Sequence, residues 1–306
     1  LKLLTFSNEG VTTFGAKVEE YYVDLGALIA KTCGSVATES FPRTLKAFLE
    51  GGEPAFLLAK KAIDSATGNS VLAELREQYC AYTEDEILFL PPIPNPSKIV
   101  CLGMNYRAHV KEMGRELPKF PTIFAKFSNV LIGHKSSIVL PSVSNMVDYE
   151  AEMAIVIGRR AKNVKPEDAF QYIAGYTVFN DVSVRDYQNR TLQWLQGKSF
   201  DGTGPIGPAL VTIDEVPNGG QLDISLSLNA EVMQQSNTSD FIFDIPTIIS
   251  YISQVMTLEP GDIIPTGTPS GVGAARNPPV FLKPGDRIKV ELGGVGVLEN
   301  DVVKPA

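Results

Sequence analysis

Histidine and cysteine are scarce in this sequence, and no apolar run approaches the ~20 residues needed to span a bilayer. The three cysteines, Cys33, Cys80 and Cys101, are odd in number and widely scattered, without the close spacing of a metal site. They are expected to be reduced structural thiols, as in a cytoplasmic protein. Basic residues are in deficit. The 27 Lys and Arg face 35 Asp and Glu, giving a net charge of −8 and a pI near 5.0. That balance argues against a nucleic-acid or anionic-membrane partner. The opening Leu-Lys-Leu-Leu-Thr-Phe is too short for a signal peptide, and it starts on Leu rather than Met, as expected of a chain trimmed at its start. Internal repeats and low-complexity tracts are also missing. What is present is an ordinary globular composition, 44% hydrophobic and 20% charged, over 306 residues. That length allows one large core or two domains.

Residues 1–90 read as a small separate unit. Short strands are expected over 2–6, 11–16 and 21–24, punctuated by Gly and Asn. Helices are expected over 44–50 and 54–65, parted by Gly51-Gly52, with one more strand over 87–90. No chemistry stands out here, so the unit is read as packing or interface. The run Pro91-Pro92-Ile93-Pro94-Asn95-Pro96 cannot hold a helix. Residues 91–97 are therefore the expected linker, and 98–306 the main domain.

The chemistry gathers around residues 148–158. From 151 to 157 the chain is apolar except for Glu152, as in a buried strand. Glu150 and Glu152 stand two apart, which on a strand puts both carboxylates on one face. Such a pair is either a solvated edge or a pair needing a cation, and a hard divalent ion prefers carboxylate oxygens. Asp181, at the end of a strand expected over 174–179, is either a third carboxylate for that pair or a helix N-cap. Ser183 competes for the cap of a helix expected over 184–192. On that helix Arg185 and Gln188 share a face and can fork onto a carboxylate or ketone oxygen. Lys126, in a strand expected over 122–127, either snorkels outward or meets an anion. His109 and Glu112 are three apart, so on one helical turn they can hydrogen-bond, as a general base and its orienting partner do. The same spacing is common on exposed helices. Gly114, Pro118 and Pro121 follow in a loop able to act as a lid. Lys198 opens an irregular Gly- and Pro-rich loop over 198–208. The loop over 265–273, Pro-Thr-Gly-Thr-Pro-Ser-Gly-Val-Gly, lacks the Lys of a phosphate loop but can bring backbone amides close to a ligand. A hairpin over 287–302, turning at Gly293-Gly294, is expected to end the chain.

The order of these motifs carries more than any one of them. Asn-Tyr-x-x-His-x-x-Glu, Asp-Tyr-Glu-x-Glu, Asn-Asp-x-Ser-x-Arg-Asp-x-Gln, Lys-Ser-Phe and Thr-Gly-Thr-Pro-x-Gly-Val-Gly, over residues 98–303, resemble the fumarylacetoacetate hydrolase family. The resemblance is strongest to bacterial members with a small extra N-terminal domain. It implies a mixed, mainly β fold: a β-sandwich roll of layered sheets with peripheral helices, joined to a small α+β N-terminal domain, and commonly a homodimer. It implies that Glu150, Glu152 and Asp181 hold one Mg²⁺ or Mn²⁺. His109 and Glu112 would be the lid dyad that activates water. Arg185, Gln188 and Lys198 would bind the substrate carboxylate and the developing oxyanion, with Thr268 and Lys126 completing the site. Animal members supply an extra Asp ligand just before the lid; the comparable position here is Asn105, which favours the three-carboxylate site. The activity implied first is hydrolysis of a C–C bond in an acylpyruvate or 2,4-diketo acid, with the metal stabilising the enolate. The alternative on the same site is an oxaloacetate-type decarboxylase or enol–keto isomerase. A non-catalytic binding protein would be expected to have lost a metal carboxylate, and none is lost.

Overall fold

In a computed structural model that describes residues 1–68, 70–219 and 221–305, residues 1–90 supply five strands and three helices. The strands are β1 (Lys2–Asn8), β2 (Val11–Val18), β3 (Tyr21–Asp24), β4 (Ala81–Tyr82) and β5 (Leu88–Phe89). The helices are α1 (Leu25–Cys33), α2 (Leu45–Ala66) and α3 (Val71–Glu77). No Gly or Pro separates α1 from β3, so no turn signal marks its start; Asp24 ends the strand and caps the helix, accepting from the Ala27 amide at 2.9 Å. The two helices expected over 44–50 and 54–65 both lie within α2 and are parted where expected. Gly52, at φ +61° and ψ −147°, is non-helical and breaks the rod into two helices at a kink.

Beyond the proline-rich passage come β6 (Ile99–Gly103), α4 (Arg107–Glu112), β7 (Thr122–Lys126), β8 (Leu131–Ile132), β9 (Ile138–Val139), β10 (Val147–Asp148) and β11 (Ala151–Ile157). Next are β12 (Ile173–Asn180), β13 (Ser183–Val184), α5 (Arg185–Gln188), α6 (Leu195–Lys198) and β14 (Gly204–Thr212). The last third holds β15 (Asp223–Leu228), β16 (Glu231–Asn237), α7 (Ile245–Val255), β17 (Ile263–Pro265), β18 (Arg287–Leu292) and β19 (Gly296–Val303).

Twelve strands form one sheet in the order β4-β3-β2-β1-β14-β12-β11-β17-β6-β7, with β5 added to β1 and β8 to β14. The strands of residues 1–90 thus extend the sheet that contains β11. A second sheet, β16-β15-β18-β19-β9, packs across it. The fold is the expected mainly β layered roll with peripheral helices. β11 lies mid-sheet and is buried on both faces, which is why its sequence is an apolar run rather than an alternation. Met153, Ile155 and Ile157 enter the core shared with Leu226 and Val290 of the second sheet. Val156 joins the core of the N-terminal helices, and Ala154 packs with Ile99, Cys101 and Ile263. Among the described residues no helix is long and apolar enough to cross a membrane.

Two local expectations are corrected. The helix expected over 184–192 ends at Gln188, because Val184 pairs with Val147 in β13 and the residues after 188 have no apolar face to pack; Leu192 is 99% exposed. β16 has no counterpart in the sequence pattern. Its hairpin with β15 turns at Asn229-Ala230, both at positive φ (51° and 69°), a turn made without glycine.

Candidate functional site

Glu150 and Glu152 flank the first residue of β11, so the pleat turns both side chains to one face. The ladder with β12 pairs Ala151 with Asn180 and Glu152 with Phe179, which delivers the next residue, Asp181, beside them. The junction is tied by the Asp181 amide donating to the Glu150 carbonyl at 2.9 Å and the Glu150 amide donating to Asn180 Oδ1 at 3.0 Å. One oxygen from each of Glu150, Glu152 and Asp181 lies within 4.8 Å of the others, and all three residues are buried. Burial, then Asp181 and Glu150, push the Glu152 carboxyl well above the usual carboxylate range; the charge of Lys198 and the Gly267 amide, donating at 2.9 Å, only partly oppose this. Glu150 moves the other way. Burial disfavours its charge, but Lys198 and Arg185 outweigh it and hold the group low. Three buried carboxylates without an imidazole or thiolate among them are a hard-cation donor set, and a divalent ion relieves the repulsion that raises Glu152. The donor set fits Mg²⁺ or Mn²⁺.

Cationic side chains surround this cluster. Lys198, at the end of α6, donates to Glu150 Oε2 at 2.8 Å and Asp181 Oδ2 at 2.7 Å. Burial lowers the Lys198 pKa, but Asp181 and Glu150 more than offset it, so the ammonium is retained. Lys126 lies behind Asp181 rather than in the cavity, with all three donors engaged: Asp181 Oδ1 at 2.6 Å and the Val182 and Thr203 carbonyls at 3.3 and 3.2 Å. Arg185 donates to Asp148 through Nε at 2.8 Å, and through Nη1 to Glu150 at 2.7 Å and Gln188 at 2.9 Å. Its buried Nη2 stands 2.8 Å from Asp148 Oδ2 but lacks an aligned acceptor.

The dyad forms on α4. His109 Nδ1 lies 3.2 Å from Glu112 Oε2, and the Gly271 amide donates to Glu112 Oε1 at 2.9 Å. Burial raises the Glu112 pKa, but these two bonds outweigh it and leave the carboxylate below its usual range. A carboxylate partner places the proton of neutral His109 on Nδ1 and leaves Nε2 basic. His109, Glu150, Glu152, Arg185, Gln188, Lys198 and Thr268 line one cavity of about 120 Å³, walled on its apolar side by Leu102, Phe124 and Trp194. Thr268 accepts from Gln234 Nε2 at 2.8 Å, which leaves its hydroxyl proton for the cavity. Asn105 is not turned to the carboxylates. Its amide bonds the Thr266 and Phe243 carbonyls and the Phe243 amide, clamping the loops around the site.

Two residues without an assigned role in the sequence pattern hold the assembly. Asp148 is fully buried and accepts from Gly273 at 2.8 Å, Ala274 at 2.9 Å and Arg185, joining β10 to the glycine-rich loop. Its place at the head of Asp-Tyr-Glu-x-Glu is the signal for it. Gln234 of β16 accepts from the Ala151 amide at 2.9 Å and donates to Thr268 and Pro269, each at 2.8 Å. No local pattern points to it.

Comparison with known proteins agrees with this geometry. The fumarylacetoacetate (FAA) hydrolase C-terminal family matches residues 98–303. The mitochondrial oxaloacetate tautomerase Fahd2a of Rattus norvegicus is 44% identical over 265 residues, 86% of this chain and 81% of its own. Among solved structures, maleylpyruvate hydrolase from Sphingobium sp. SYK-6 superposes with a TM-score of 0.77 at 30% identity, covering 100% of both chains. The 5-carboxymethyl-2-hydroxymuconate delta-isomerase from Mycobacterium smegmatis does so with a TM-score of 0.73 at 30% identity, again over 100% of both. With the motifs in order, the carboxylates converged and the roll in place, the chain belongs to the fumarylacetoacetate hydrolase family.

Proposed function

We propose that this protein is a divalent-metal-dependent enol–keto tautomerase of a small 2-oxo dicarboxylate, with oxaloacetate as its representative. The observation that carries the reading is the cavity: about 120 Å³, lined by Glu150 and Glu152 with Asp181 buried beside them, and far smaller than the roughly 300 Å³ at which pockets begin to hold drug-sized ligands. A four-carbon acid suits that space better than a diketo acid with a long acyl arm. The 44% identity to a protein named as an oxaloacetate tautomerase supports the same choice. This reverses the order in which the motifs alone rank the two activities.

Glu150, Glu152 and Asp181 would hold the metal. When bound, Mg²⁺ or Mn²⁺ supplies Lewis-acid polarisation of the 2-oxo group. Ketonisation takes one proton from the enol oxygen and delivers one to C3. His109, oriented by Glu112, takes the enol-oxygen proton on Nε2 and returns it to C3. Lys198 and Thr268 donate toward the 2-oxygen, where negative charge develops. Gln188, whose Oε1 accepts from Arg185 Nη1 at 2.9 Å, presents its amide nitrogen to the adjacent carboxylate, with the Arg185 charge behind it. The second reading is the C–C hydrolase, favoured by the oriented His109–Glu112 pair, which can equally deprotonate water. The test follows the decay of enol absorbance of oxaloacetate with Mg²⁺, with EDTA and with His109→Ala, beside an acetylpyruvate cleavage assay. The reading expects ketonisation above the spontaneous rate that needs both metal and His109. Acetylpyruvate cleavage without ketonisation would move the protein to the hydrolase reading.

A further inference from the structure

Three cationic side chains line the cavity, namely Arg115, Arg185 and Lys198, and two of them are committed. Lys198 bonds Glu150 and Asp181, while Arg185 bonds Asp148, Glu150 and Gln188. Arg115 is different. Its Nη1 donates to Met104 Sδ at 3.4 Å, a neutral and weak acceptor, and among the described residues it has no carboxylate partner. Arg115 is solvent-exposed at the cavity rim, so its guanidinium is free to meet an anion that enters the cavity.

The backbone fixes where it stands. At the end of α4 the Gly114 amide donates to the Lys111 carbonyl and the Arg115 amide to the Val110 carbonyl, at 3.0 and 3.1 Å. This helix-ending turn needs Gly114 at φ +63°, a conformation glycine adopts without penalty. Arg115 is thereby carried on the turn that directly follows the helix bearing His109 and Glu112.

We propose that Arg115 receives the distal carboxylate of a 2-oxo dicarboxylate and sets the preference for dicarboxylates over monocarboxylates. The assignment rests on the tautomerase reading for its substrate class. The end of the substrate bearing the 2-oxo group is served by the carboxylate cluster, Lys198 and Arg185, and the far end then meets the cation at the rim.

The test compares oxaloacetate with 2-oxobutanoate, which carries a methyl group where oxaloacetate has its distal carboxylate. Affinities are read by titration calorimetry with Mg²⁺ on wild type, Arg115→Gln and Arg115→Lys, with thermal unfolding as a check on folding. Wild type should bind oxaloacetate about tenfold or more tightly than 2-oxobutanoate, as a charge-assisted contact implies. Arg115→Gln should erase that ratio through oxaloacetate alone, and Arg115→Lys should restore part of it, keeping the charge but losing the fork. Equal weakening of both ligands by Arg115→Gln, or no discrimination in wild type, would overturn the proposal. Wild type that discriminates yet does not ketonise enol-oxaloacetate would uphold the carboxylate contact and remove the tautomerase reading alone.

Discussion

Glu152 is the cluster carboxylate without a cation of its own. Lys198 bridges Glu150 and Asp181, Lys126 bonds Asp181, and Arg185 bonds Glu150, while Glu152 has the Gly267 amide. Without metal it therefore holds a proton well above the usual carboxylate range, because burial and its two neighbours disfavour its charge. A divalent ion at the cluster must displace that proton. Titration with Mg²⁺ or Mn²⁺ in buffers of different ionisation enthalpy should show proton release, and affinity should rise with pH until Glu152 ionises unaided. Glu152→Gln should abolish the release and most of the affinity. Affinity that ignores pH and releases no proton would remove Glu152 from the ligand set. At this scale the sequence was informative where geometry is local: two residues along a strand for Glu150 and Glu152, one helical turn for His109 and Glu112. It was silent on Gln234, which reaches Ala151 across 83 positions. Lys126 was readable only as a choice between solvent and an anion until Asp181 was seen beside it.

Among the elements, α4 decides whether the dyad is assembled. The helix has six residues, too short to persist alone, and is held from outside. The Ala108 amide donates to Asp240 at 3.0 Å, Arg107 donates to the Phe241 carbonyl, and Glu112 accepts from Gly271. Glu112 thus has two tasks, orienting His109 and docking the helix on the glycine-rich loop. Glu112→Ala should lower kcat for ketonisation by about tenfold to a hundredfold, at or below the roughly 10²–10⁴-fold of a group that itself transfers the proton, because Glu112 acts through His109. Metal affinity should stay unchanged, since Glu112 is outside the carboxylate cluster. Unaltered kcat would show that His109 does not need this partner. The same dependence on context explains which elements the sequence revealed. β11 announced itself because burial on both faces leaves an uninterrupted apolar run. The stretch after Gln188 looked helical by composition, but helix formation there had no core to pack against.

At the scale of the whole molecule, the loop carrying His134 joins distant parts of the chain. His134 Nδ1 accepts from the Glu299 amide of β19 at 3.0 Å, and its ring meets Phe89 of β5 edge-on with centroids 4.9 Å apart. Lys135 pairs with Glu84 at 2.6 Å, and the Asn300 amide donates to the Gly133 and Ser136 carbonyls at 3.0 and 2.8 Å. An accepting Nδ1 requires the neutral ring with its proton on Nε2. Burial pushes the His134 pKa below its ordinary value of 6.5, and Glu84, 3.9 Å from Nε2, pulls upward without reversing the shift. Between the folded pKa and about 6.5 the unfolded chain binds more protons than the fold, so stability rises with pH there. The contribution is complete above about pH 6.5 and is lost as pH falls through the folded pKa. The melting temperature should therefore drop on acidification from about pH 7 to about pH 5, before most carboxylates titrate. His134→Asn, whose Oδ1 can take the Glu299 amide without titrating, should flatten that slope. Because β1 pairs with β14 and the His134 loop bridges β5 to β19, protonation loosens the N-terminal strands and the C-terminal hairpin together. Calorimetry over this range should show one transition moving downward. A separate early transition of residues 1–90, or an unchanged slope in His134→Asn, would place the sensitive group elsewhere.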